Sequence, residues 1–402
     1  MLYYLSSTRF PSPKAHAIQQ VRMCQAFEQA GESVSLVCPR SGRAGTDWDA
    51  LAEYYGLSTR FDIIPLPTWK HDVSIPLPYV PNVDFQVATL WLMANDILHE
   101  LGPQDIIYAR TPYPIWFYLL VCERFDRSDR PSIWFEQHQV DRGVPPSFYE
   151  SVDGVVCISD HQASRLTRHL NGQINRLRVE HDGVDLSAYQ SVSTQDARRR
   201  IGIDQRDPLV VYTGHLYPSK DVESLVQAMA ELEARCLIVG GDPSDIRRIN
   251  ESMTIPSNVT FTGMVPPGEV PSYQIAADVL VATFSKSSEL EYFSPLKLFE
   301  YMASGTPMVV ARKPAFEEVL QHGESALFVE PESPNELRET ISTVLDNPAL
   351  GGQLGTRARQ EAAVHAWSER ADRILTAIRS PETTKIPSTV TVPRRTTDQE
   401  YA

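Results

Sequence analysis

The sequence lacks several features that mark specialised classes of protein. Its five cysteines are scattered, and no two of them have the C-x-x-C spacing of a redox or zinc motif. No apolar run approaches the roughly 20 residues of a membrane-spanning helix, and the first residues lack the basic and apolar regions of a signal peptide. These absences argue against a disulfide-rich secreted scaffold and against a membrane-spanning protein, and they predict a cytoplasmic location.

Positive charge is scarce as well. The 402 residues include 37 lysines and arginines against 51 aspartates and glutamates, which gives a formal net charge of −14. An acidic chain as a whole attracts neither nucleic acid nor an anionic membrane. We therefore predict no nucleic-acid partner, and peripheral contact with a membrane stays open only through a local basic patch.

Two motifs that bind nucleotides are also missing. The sequence has neither the G-x-G-x-x-G turn of dehydrogenases nor the G-x-x-x-x-G-K-[ST] loop of P-loop proteins. The candidate aspartate-x-aspartate pair for a metal, Asp47 and Asp49, is predicted to lie in a polar loop. A dinucleotide-dependent dehydrogenase, a P-loop enzyme and a metal-dependent transferase are therefore disfavoured.

Short apolar runs alternate with helical stretches along the whole chain, starting with a predicted helix at residues 17–30. Strands are predicted at residues 1–6, 34–38, 106–109, 132–135, 154–158, 209–213, 236–239, 259–261, 279–282 and 308–311. Such alternation predicts α/β domains whose parallel sheets are covered by helices on both faces. A chain of 402 residues is too long for one ordinary core, so two domains are expected.

The domain boundaries follow from composition. A polar, charge-rich stretch at 190–205 predicts a linker between a first domain at 1–189 and a second at 206–365. Residues 366–380 predict a final helix. The following stretch, 381–402, is rich in threonine, proline and charge and predicts a disordered tail. Prolines mixed with aromatic residues predict a long loop at 64–85.

A helix start is visible in residues 290–311, LEYFSPLKLFEYMASGTPMVVA. Ser294 followed by Pro295 predicts an N-cap and a first helical residue, and Gly305 predicts the left-handed end of the same helix. A buried strand follows it. The N-terminus of this helix is a candidate site for an anionic ligand.

The first turn of this helix carries residues that suit a nucleotide. The free N–H groups of Leu296 and Lys297 would bind phosphate oxygens, and Lys297 would add a full positive charge. Glu300 lies three residues beyond Lys297 on the same face, where its carboxylate would hold the two hydroxyls of a ribose. The alternative is an ordinary capped helix with a surface ion pair between Lys297 and Glu300.

A second informative segment is LVVYTGHLYPSKDVESLVQAMAEL, at residues 209–232. Its predicted strand ends at Gly214, where a glycine lets a ligand approach the backbone, and its loop carries His215 and Lys220. At the edge of a parallel sheet, Lys220 would stand beside a cleft. The alternative is a solvated lysine in a surface loop.

Together these two segments resemble the family-4 retaining glycosyltransferases of the GT-B fold. In that family, a glycine–arginine–leucine pattern and then lysine–glycine precede a helix of the second domain. Here the pattern stands as Gly214-His215-Leu216 followed by Lys220-Asp221. The resemblance implies that this loop contacts the donor diphosphate, with His215 in place of the arginine that commonly clamps it.

A second mark of the family is a pair of glutamates seven residues apart, ahead of A-x-G-x-P-V-V. The stretch SPLKLFEYMASGTPMVV keeps Glu300 as the second glutamate. The first falls by count on Tyr292, with Glu291 one residue early. Because the first glutamate normally meets hydroxyls of the donor sugar, this departure leaves the identity of the donor open.

Other segments extend the resemblance over nearly the whole chain. NVTFTGMVPPGEVPSYQIAADVLV resembles the segment whose backbone receives the base, and FEQHQVDRG carries His138, where family members often have a histidine that faces the donor sugar. Arg110, after a predicted strand, and His16, before the first helix, are acceptor-side candidates that would bind an anionic group. The predicted donor-binding residues are Gly214, His215, Met264, Val265, Glu291, Tyr292, Ser294, Leu296 and Lys297.

The implied fold is α/β, with two Rossmann-like domains that face each other across a cleft and a C-terminal helix near Trp367 that crosses back to the first domain. The implied reaction moves a glycosyl group from a nucleoside diphosphate sugar to a hydroxyl, with retention of configuration. The acceptor would be a small molecule, a glycan or a lipid-linked compound. The partner molecules are therefore a nucleotide sugar and that acceptor, and the oligomeric state is not legible.

Three residues are assigned to the chemistry by this resemblance: His138, Lys220 and Glu300. Lys220 and Lys297, together with the helix N-terminus, would stabilise the negative charge on the leaving diphosphate, and Glu300 would anchor the ribose. The departing phosphate itself would take the proton of the acceptor. Neither a metal nor a cofactor other than the sugar nucleotide is therefore expected.

Three other functions fit the same pattern. A sugar-nucleotide 2-epimerase shares this architecture but needs acid–base carboxylates in the cleft. A catalytically inactive relative would bind the nucleotide without turnover, as the departures at His215 and Tyr292 allow. An interaction scaffold built of Rossmann-like domains would have no affinity for nucleotides.

Overall fold

A computed structural model of the chain describes residues 1–40, 47–66, 101–124, 129–138, 144–190, 192–286 and 294–380. These residues form two α/β domains, each built on a parallel sheet. The tail predicted at 381–402, the donor residues Glu291 and Tyr292, and most of the predicted loop at 64–85 lie outside the described residues.

The first domain holds a seven-stranded sheet. Its strands are β1 (Leu2–Leu5), β2 (Val34–Pro39), β3 (Asp62–Leu66), β4 (Ile106–Ala109), β5 (Ser132–Gln137), β6 (Gly154–Cys157) and β7 (Leu177–Val179). They lie in the order β3-β2-β1-β4-β5-β6-β7, and every pairing is parallel. Its helices are α1 (Ala15–Gln29), α2 (Trp48–Tyr55), α3 (Pro112–Arg124), α4 (Pro146–Ser151) and α5 (Asp160–His169).

The second domain begins with α6 (Thr194–Ile201) and holds a six-stranded sheet. Its strands are β8 (Leu209–Thr213), β9 (Arg235–Val239), β10 (Val259–Gly263), β11 (Val279–Ala282), β12 (Met308–Ala311) and β13 (Leu327–Val329). Their order is β10-β9-β8-β11-β12-β13, again with parallel pairings. Its further helices are α7 (Val222–Met229), α8 (Pro243–Ser252), α9 (Val270–Ala276), α10 (Leu296–Ser304), α11 (Pro314–Glu317), α12 (Pro334–Asp346) and α13 (Pro348–Ala362).

The central strands are buried on both faces because helices cover the two sides of each sheet. Strands β2, β4, β6, β8, β11 and β12 are buried at every residue. This is why their sequences are continuous apolar runs rather than alternating patterns. The α/β architecture predicted from the sequence is thereby confirmed.

The stretch predicted as a linker, 190–205, belongs to the second domain. The side chain of Ser193 accepts a hydrogen bond from Asp196 N and so caps α6, and Gly202 ends that helix in the left-handed conformation with φ +70°. Ala197 and Ile203 are buried in the second domain's core. The segment predicted as a linker therefore contains a short helix that packs on the second domain, and even its charged residue Arg198 is buried there, only 3% exposed.

The final helix, α14 (Trp367–Arg379), crosses back to the first domain as predicted. Trp367, Ala371, Ile374 and Ile378 are buried in an apolar cluster with residues of α1 and β1. The chain passes between the domains twice, and the two passages lie side by side. Val184 accepts a hydrogen bond from Trp367 N at 3.2 Å, and its own N–H donates to the carbonyl of His365 at 2.9 Å.

The start of the predicted loop at 64–85 is a strand instead, because β3 runs as far as Leu66. Pro65 lies within β3, and a proline is tolerated there because β3 is an edge strand of the sheet. Among the described helices, none is both long enough and apolar enough to cross a membrane.

Candidate active site

The predicted site residues that the structure describes gather at the carboxyl ends of the strands, where parallel sheets bind their ligands. Gly214 and His215 follow β8 in the second domain. Arg110 follows β4 and His138 follows β5 in the first domain. The two sheets therefore present these residues on the walls of one cleft.

Two lysines from different elements share one aromatic ring. The Nζ of Lys220, at the end of a 3-10 turn, lies 4.5 Å from the centroid of the Phe284 ring. The Nζ of Lys297, in the first turn of α10, lies 5.6 Å from the same ring and 3.8 Å from that of Tyr212. The structure thus brings together the two cations that the sequence assigned to one diphosphate.

Both ammonium groups are held where water reaches them poorly. Burial lowers the pKa of Lys220 to about 8. Burial, followed by the charge of Lys220, brings the pKa of Lys297 well below its ordinary value, although Glu300 acts in the opposite sense. Among the described residues, Lys297 Nζ has no hydrogen-bond acceptor. A buried donor in this state is costly, and a bound anion would relieve that cost.

Gly214 makes room for the second of these lysines. Its φ of +132° favours glycine, and a Cβ at this position would lie 2.9 Å from Lys297 Nζ. Its own N–H donates to the carbonyl of Val239 at 2.8 Å, so that group serves the sheet. In the neighbouring loop, a Cβ on Gly240 would come within 2.2 Å of the Gly214 carbonyl oxygen.

His215 occupies the position of the family's arginine without carrying its charge. Its ring stacks on Tyr217 with centroids 5.0 Å apart and planes inclined by 7°. Burial lowers its pKa, Asp242 acts against this, and Lys297 and Lys220 lower the pKa further. Its Nδ1 is buried and has no hydrogen-bond partner in the described part of the chain. The neutral ring can therefore form hydrogen bonds to a ligand, but it does not neutralise one.

The start of α10 differs by one residue from the prediction. Pro295 is the N-cap and Leu296 the first helical residue, and Gly305 ends the helix with φ +71°. Ser294 does not cap the helix, because its Oγ accepts a hydrogen bond from Asp182 N, 3.3 Å away in the interdomain passage. The N–H groups of Leu296 and Lys297 remain at the helix N-terminus, where no intrahelical partner exists for them.

Glu300 is oriented by a chain of hydrogen bonds and not by Lys297. Gln274 donates from Nε2 to Glu300 Oε2 at 3.0 Å and to Thr213 Oγ1 at 3.1 Å. Tyr189 donates its hydroxyl to Gln274 Oε1 at 2.6 Å, which fixes the orientation of the amide. Burial raises the pKa of Glu300, while Gln274, Lys297 and Arg22 oppose this. The alternative of an exposed Lys297–Glu300 ion pair is therefore excluded.

On the opposite wall, Glu136 is surrounded by donors. It accepts hydrogen bonds from Gln19 at 2.6 Å and from the hydroxyl of Tyr108, and His138 Nε2 lies 2.5 Å from its Oε1. Arg370 of α14 forms an ion pair with it at 3.2 Å, and both side chains are 0% exposed. Burial raises the pKa of Glu136, but Arg370, His138 and Tyr108 outweigh burial and hold it below its ordinary value.

This network sets the tautomer of His138. Burial, then Arg110, lowers its pKa to about 4 although Glu136 acts to raise it, so the ring is neutral near pH 7. An ionised carboxylate only accepts hydrogen bonds, so Nε2 carries the proton that it donates to Glu136. Nδ1 is then left with a lone pair that can accept a hydrogen bond from a ligand.

The acceptor-side candidates also lie in the cleft. Arg110 donates from Nη1 to Gln19 Oε1 at 3.0 Å, which joins it to the network around Glu136. Burial lowers the pKa of His16 to about 4, and the charges of Arg110, Lys14 and His215 add to this. Because His215 belongs to the second domain, the two walls approach each other here.

The base-side candidates follow β10. Met264 is 39% exposed, and Val265 packs against the core of the second domain. This leaves the backbone after Gly263 at the surface, where the resemblance predicts that the base is received.

One trio in this cleft has donor atoms close enough to hold a metal ion, namely Glu136, His138 and Asp182, whose donor atoms all lie within 4.8 Å of one another. The guanidinium of Arg370 already supplies a positive charge to Glu136. The aspartate pair considered above does not lie in a loop as predicted, because Asp49 is in the first turn of α2 and the side chain of Asp47 accepts from Ala50 N at 2.8 Å and caps that helix. The absence of a catalytic metal stays a prediction.

Arg370, Gln274 and Asp182 are among the residues of this site that were not singled out from the sequence. A signal for Arg370 was present, because it lies on the apolar face of α14 between Trp367 and Ile374. A charged residue in such a position needs a buried partner. No comparable signal marks Gln274, whose role depends on the distant residue Glu300.

Comparison with known proteins bears on this geometry. Residues 193–361 match the family described as glycosyl transferases group 1. That range contains both lysines, Glu300 and Gln274. The match supports a glycosyltransferase.

The D-inositol 3-phosphate glycosyltransferase of Rhodococcus opacus (strain B4) is 27% identical over 242 residues, which are 56% of this chain and 53% of that protein. The chain thus spans about half the length of the curated relatives that it matches.

Anabaena HepE, solved in complex with UDP and glucose, superposes with a TM-score of 0.69 at 15% identity, covering 93% of this chain and 98% of that one. Sucrose-phosphate synthase of Thermosynechococcus elongatus superposes with a TM-score of 0.70 at 20% identity, covering 94% of this chain and 98% of that one. The fold is that of GT-B glycosyltransferases.

Proposed function

We propose that this protein transfers a glycosyl group from a nucleoside diphosphate sugar to an acceptor hydroxyl, with retention of configuration and without a metal, as in family-4 enzymes. The observation that carries the proposal is the pair of half-buried lysines around Phe284. Lys297 Nζ, without a hydrogen-bond acceptor among the described residues, is satisfied when a diphosphate occupies the pocket. That pocket lies in the domain that matches the glycosyl transferases group 1 family.

The lysines act on the leaving group. As the bond from the anomeric carbon to the phosphate oxygen breaks, negative charge grows on the diphosphate. Lys220, Lys297 and the N-terminus of α10 stabilise that charge in a pocket of low dielectric. His215 adds a hydrogen bond at most, because its ring is neutral.

Glu300 and His138 position the donor. Glu300 receives the ribose hydroxyls, and its hydrogen bond from Gln274 keeps the carboxylate in one orientation. His138 Nδ1 accepts a hydrogen bond from a hydroxyl of the donor sugar. Because both groups are held before the donor arrives, less ordering is needed in the transition state.

The departing phosphate takes the acceptor's proton on the face where the new bond forms. The acceptor oxygen bonds to the anomeric carbon as the phosphate oxygen leaves it, and the acceptor's proton passes to that oxygen. Configuration is then retained without a general base, and closure of the two domains would exclude water.

The acceptor carries an anionic group in this proposal. Arg110 and Lys14 lie beside His16 on the first-domain wall, since burial, followed by the charges of these two residues, lowers the pKa of His16 to about 4. An anion bound there would pair with the two cations, and the neutral ring of His16 could form a hydrogen bond with it. The name of the relative from Rhodococcus opacus, a D-inositol 3-phosphate glycosyltransferase, supports a phosphorylated acceptor.

A sugar-nucleotide 2-epimerase is the second candidate, since that reaction needs acid–base carboxylates in the cleft. Burial raises the pKa of Asp182 to about 7, although Arg370 opposes this. Its Oδ1 has no hydrogen-bond partner among the described residues. A carboxyl that titrates near neutral pH suits proton transfer.

The cytoplasmic location expected from the sequence belongs to the same proposal. All five cysteines are buried and free, which fits a reducing compartment.

The test is a mass-spectrometric screen of sugar nucleotides, beginning with UDP-glucose and with inositol phosphates as acceptors. Release of nucleoside diphosphate together with a glycosylated acceptor is expected. Lys220→Ala and Glu300→Ala should each lower transfer by about a hundredfold or more, the scale of one lost transition-state contact. Lys286→Ala is the matched control, because Lys286 is 64% exposed and pairs with Glu332 at the surface.

Each other outcome points elsewhere. An epimerised sugar nucleotide without transfer establishes the second candidate. Nucleotide binding without turnover of any donor indicates an inactive relative, and no nucleotide affinity indicates a scaffold. Rates like those of the wild type in both folded variants would remove the proposed site.

A further inference from the structure

Three segments from different parts of the fold meet where the chain passes between the domains. Asp160 begins α5 in the first domain, His181 lies in the first interdomain passage, and Glu318 follows α11 in the second domain. Their donor atoms all lie within 4.8 Å of one another. We call this group the hinge cluster.

The carboxylate of Glu318 is held in one orientation. Its Oε1 accepts from His161 N at 2.9 Å and also contacts the ring of His161. Its Oε2 accepts from Asp160 N at 2.8 Å and lies 3.6 Å from His181 Nε2. Oε2 therefore faces His181 with one lone pair still available, since a carboxylate oxygen offers two.

The ring of His181 is oriented by a backbone hydrogen bond, as the rings of metal-binding histidines commonly are. Its ring forms a hydrogen bond with the backbone of Ile158. A ring that donates to a backbone carbonyl through one nitrogen keeps a lone pair on the other, and this outer contact is a regular feature of histidine ligands.

Two carboxylates in this cluster repel each other. Burial, then the charge of Glu318, raises the pKa of Asp160, whereas His181 and His161 act to lower it. The charged groups that act on Asp160 are thus Glu318 and two histidines. In the cleft trio, by contrast, Arg370 supplies a fixed positive charge to Glu136.

We propose that Asp160, His181 and Glu318 bind a divalent transition-metal ion of the Zn²⁺ type, which ties the two domains together at the hinge. One imidazole nitrogen and two carboxylate oxygens suit such an ion. The observed 3.6 Å between His181 Nε2 and Glu318 Oε2 is close to the roughly 3.4 Å that two ligands about 2.1 Å from a tetrahedral ion would have.

Water can complete the coordination. Asp160 is exposed to solvent, and Glu318 and His365 help to line a cavity of about 450 Å³ beside the cluster. Because the ligands come from both domains, binding of the ion stabilises their mutual arrangement and takes no part in glycosyl transfer.

The test measures binding of Zn²⁺ alone to the full chain by calorimetry at neutral pH. The wild type is expected to bind one ion per chain with micromolar affinity. Asp160→Asn and His181→Gln should each weaken binding by about tenfold or more, in line with the loss of a metal-site contact. His169→Gln is the control, because His169 is an exposed histidine at the other end of α5.

Thermal unfolding gives a second readout that needs no activity. Zn²⁺ should raise the unfolding temperature of the wild type and of His169→Gln but not that of His181→Gln. If His181→Gln fails to fold, Asp160→Asn decides, since Asp160 is exposed. The proposal is overturned if the wild type binds no Zn²⁺, if both ligand variants bind it as the wild type does, or if His138→Gln alone abolishes binding.

Discussion

The two walls of the cleft differ in how their charged groups are paired. On the first-domain wall, Glu136 is buried and fully paired, with four donors around it, one of which, Arg370, is its counter-ion. On the second-domain wall, the Nζ of Lys297 is buried without a hydrogen-bond acceptor among the described residues, and the charge of Lys220 acts on it. The network around Glu136 is complete in the free protein, whereas the ammonium group of Lys297 gains a partner only when a ligand binds. The first wall therefore holds its side chains in fixed orientations, and the second contributes to the affinity for an anionic ligand.

The first prediction breaks the paired wall. Arg370→Met should lower the free energy of unfolding by about 3–5 kcal/mol, because it leaves the charge of Glu136 buried without a counter-ion. Urea denaturation measures the loss. Arg379→Met is the matched control on the same helix, since Arg379 is 59% exposed in its pair with Glu32 and should contribute only about 0–1 kcal/mol.

The double variant Glu136→Gln with Arg370→Met should recover part of that loss, because it removes both charges. A loss for Arg370→Met no larger than that for Arg379→Met would show that the buried pair does not stabilise the first domain.

The second prediction breaks the unpaired wall. Lys297→Met should lower transfer by about a hundredfold or more, through loss of electrostatic stabilisation of the leaving group. The same change should raise the free energy of unfolding without ligand by about 1 kcal/mol, because a buried donor without a partner is removed. Steady-state kinetics and urea denaturation measure the two effects.

A variant that is more stable but less active shows that the ammonium group of Lys297 serves to bind the ligand and does not stabilise the fold. Lys286→Met should change neither quantity, since Lys286 is an exposed lysine. If Lys297→Met were less stable and fully active, the ammonium would be structural instead.

The third prediction sharpens the electrostatics of the same wall. Lys220 has a pKa of about 8, and its charged form is the acid form. Donor kcat/KM should therefore be retained below pH 8 and fall about tenfold for each pH unit above it. Lys220→Arg, whose guanidinium stays protonated, should move this limb to higher pH. If donor kcat/KM of Lys220→Arg still falls above pH 8, the fall is caused by the titration of another group.

The strands that the sequence did not predict are β3, β7 and β13, and all three lie at sheet edges. Central strands are covered on both faces and so appear as continuous apolar runs. An edge strand can be short and can carry polar residues or proline, as Arg178 in β7 and Pro65 in β3 do. Among the described strands, the central strands of each sheet were therefore predicted, whereas of the four edge strands only β10 was.

The site divides in the same way. Lys297, Glu300 and Gly305 were predicted because a helix start, a shared face and a helix end are local patterns. Ser294 was assigned wrongly as a cap because its partner, Asp182, lies 112 residues away. Gln274 and Arg370 were missed for the same reason, since their partners come from other elements or from the other domain.

The C-terminal helix has a consequence for how the protein is made. The apolar face of α14 fills the first domain's core beside α1, and Arg370 supplies the counter-ion for Glu136. During synthesis, the segment that begins this domain leaves the ribosome long before the segment that completes it. The second domain can fold from a continuous stretch of the chain. The first domain has an open core and an uncompensated carboxylate until α14 has emerged.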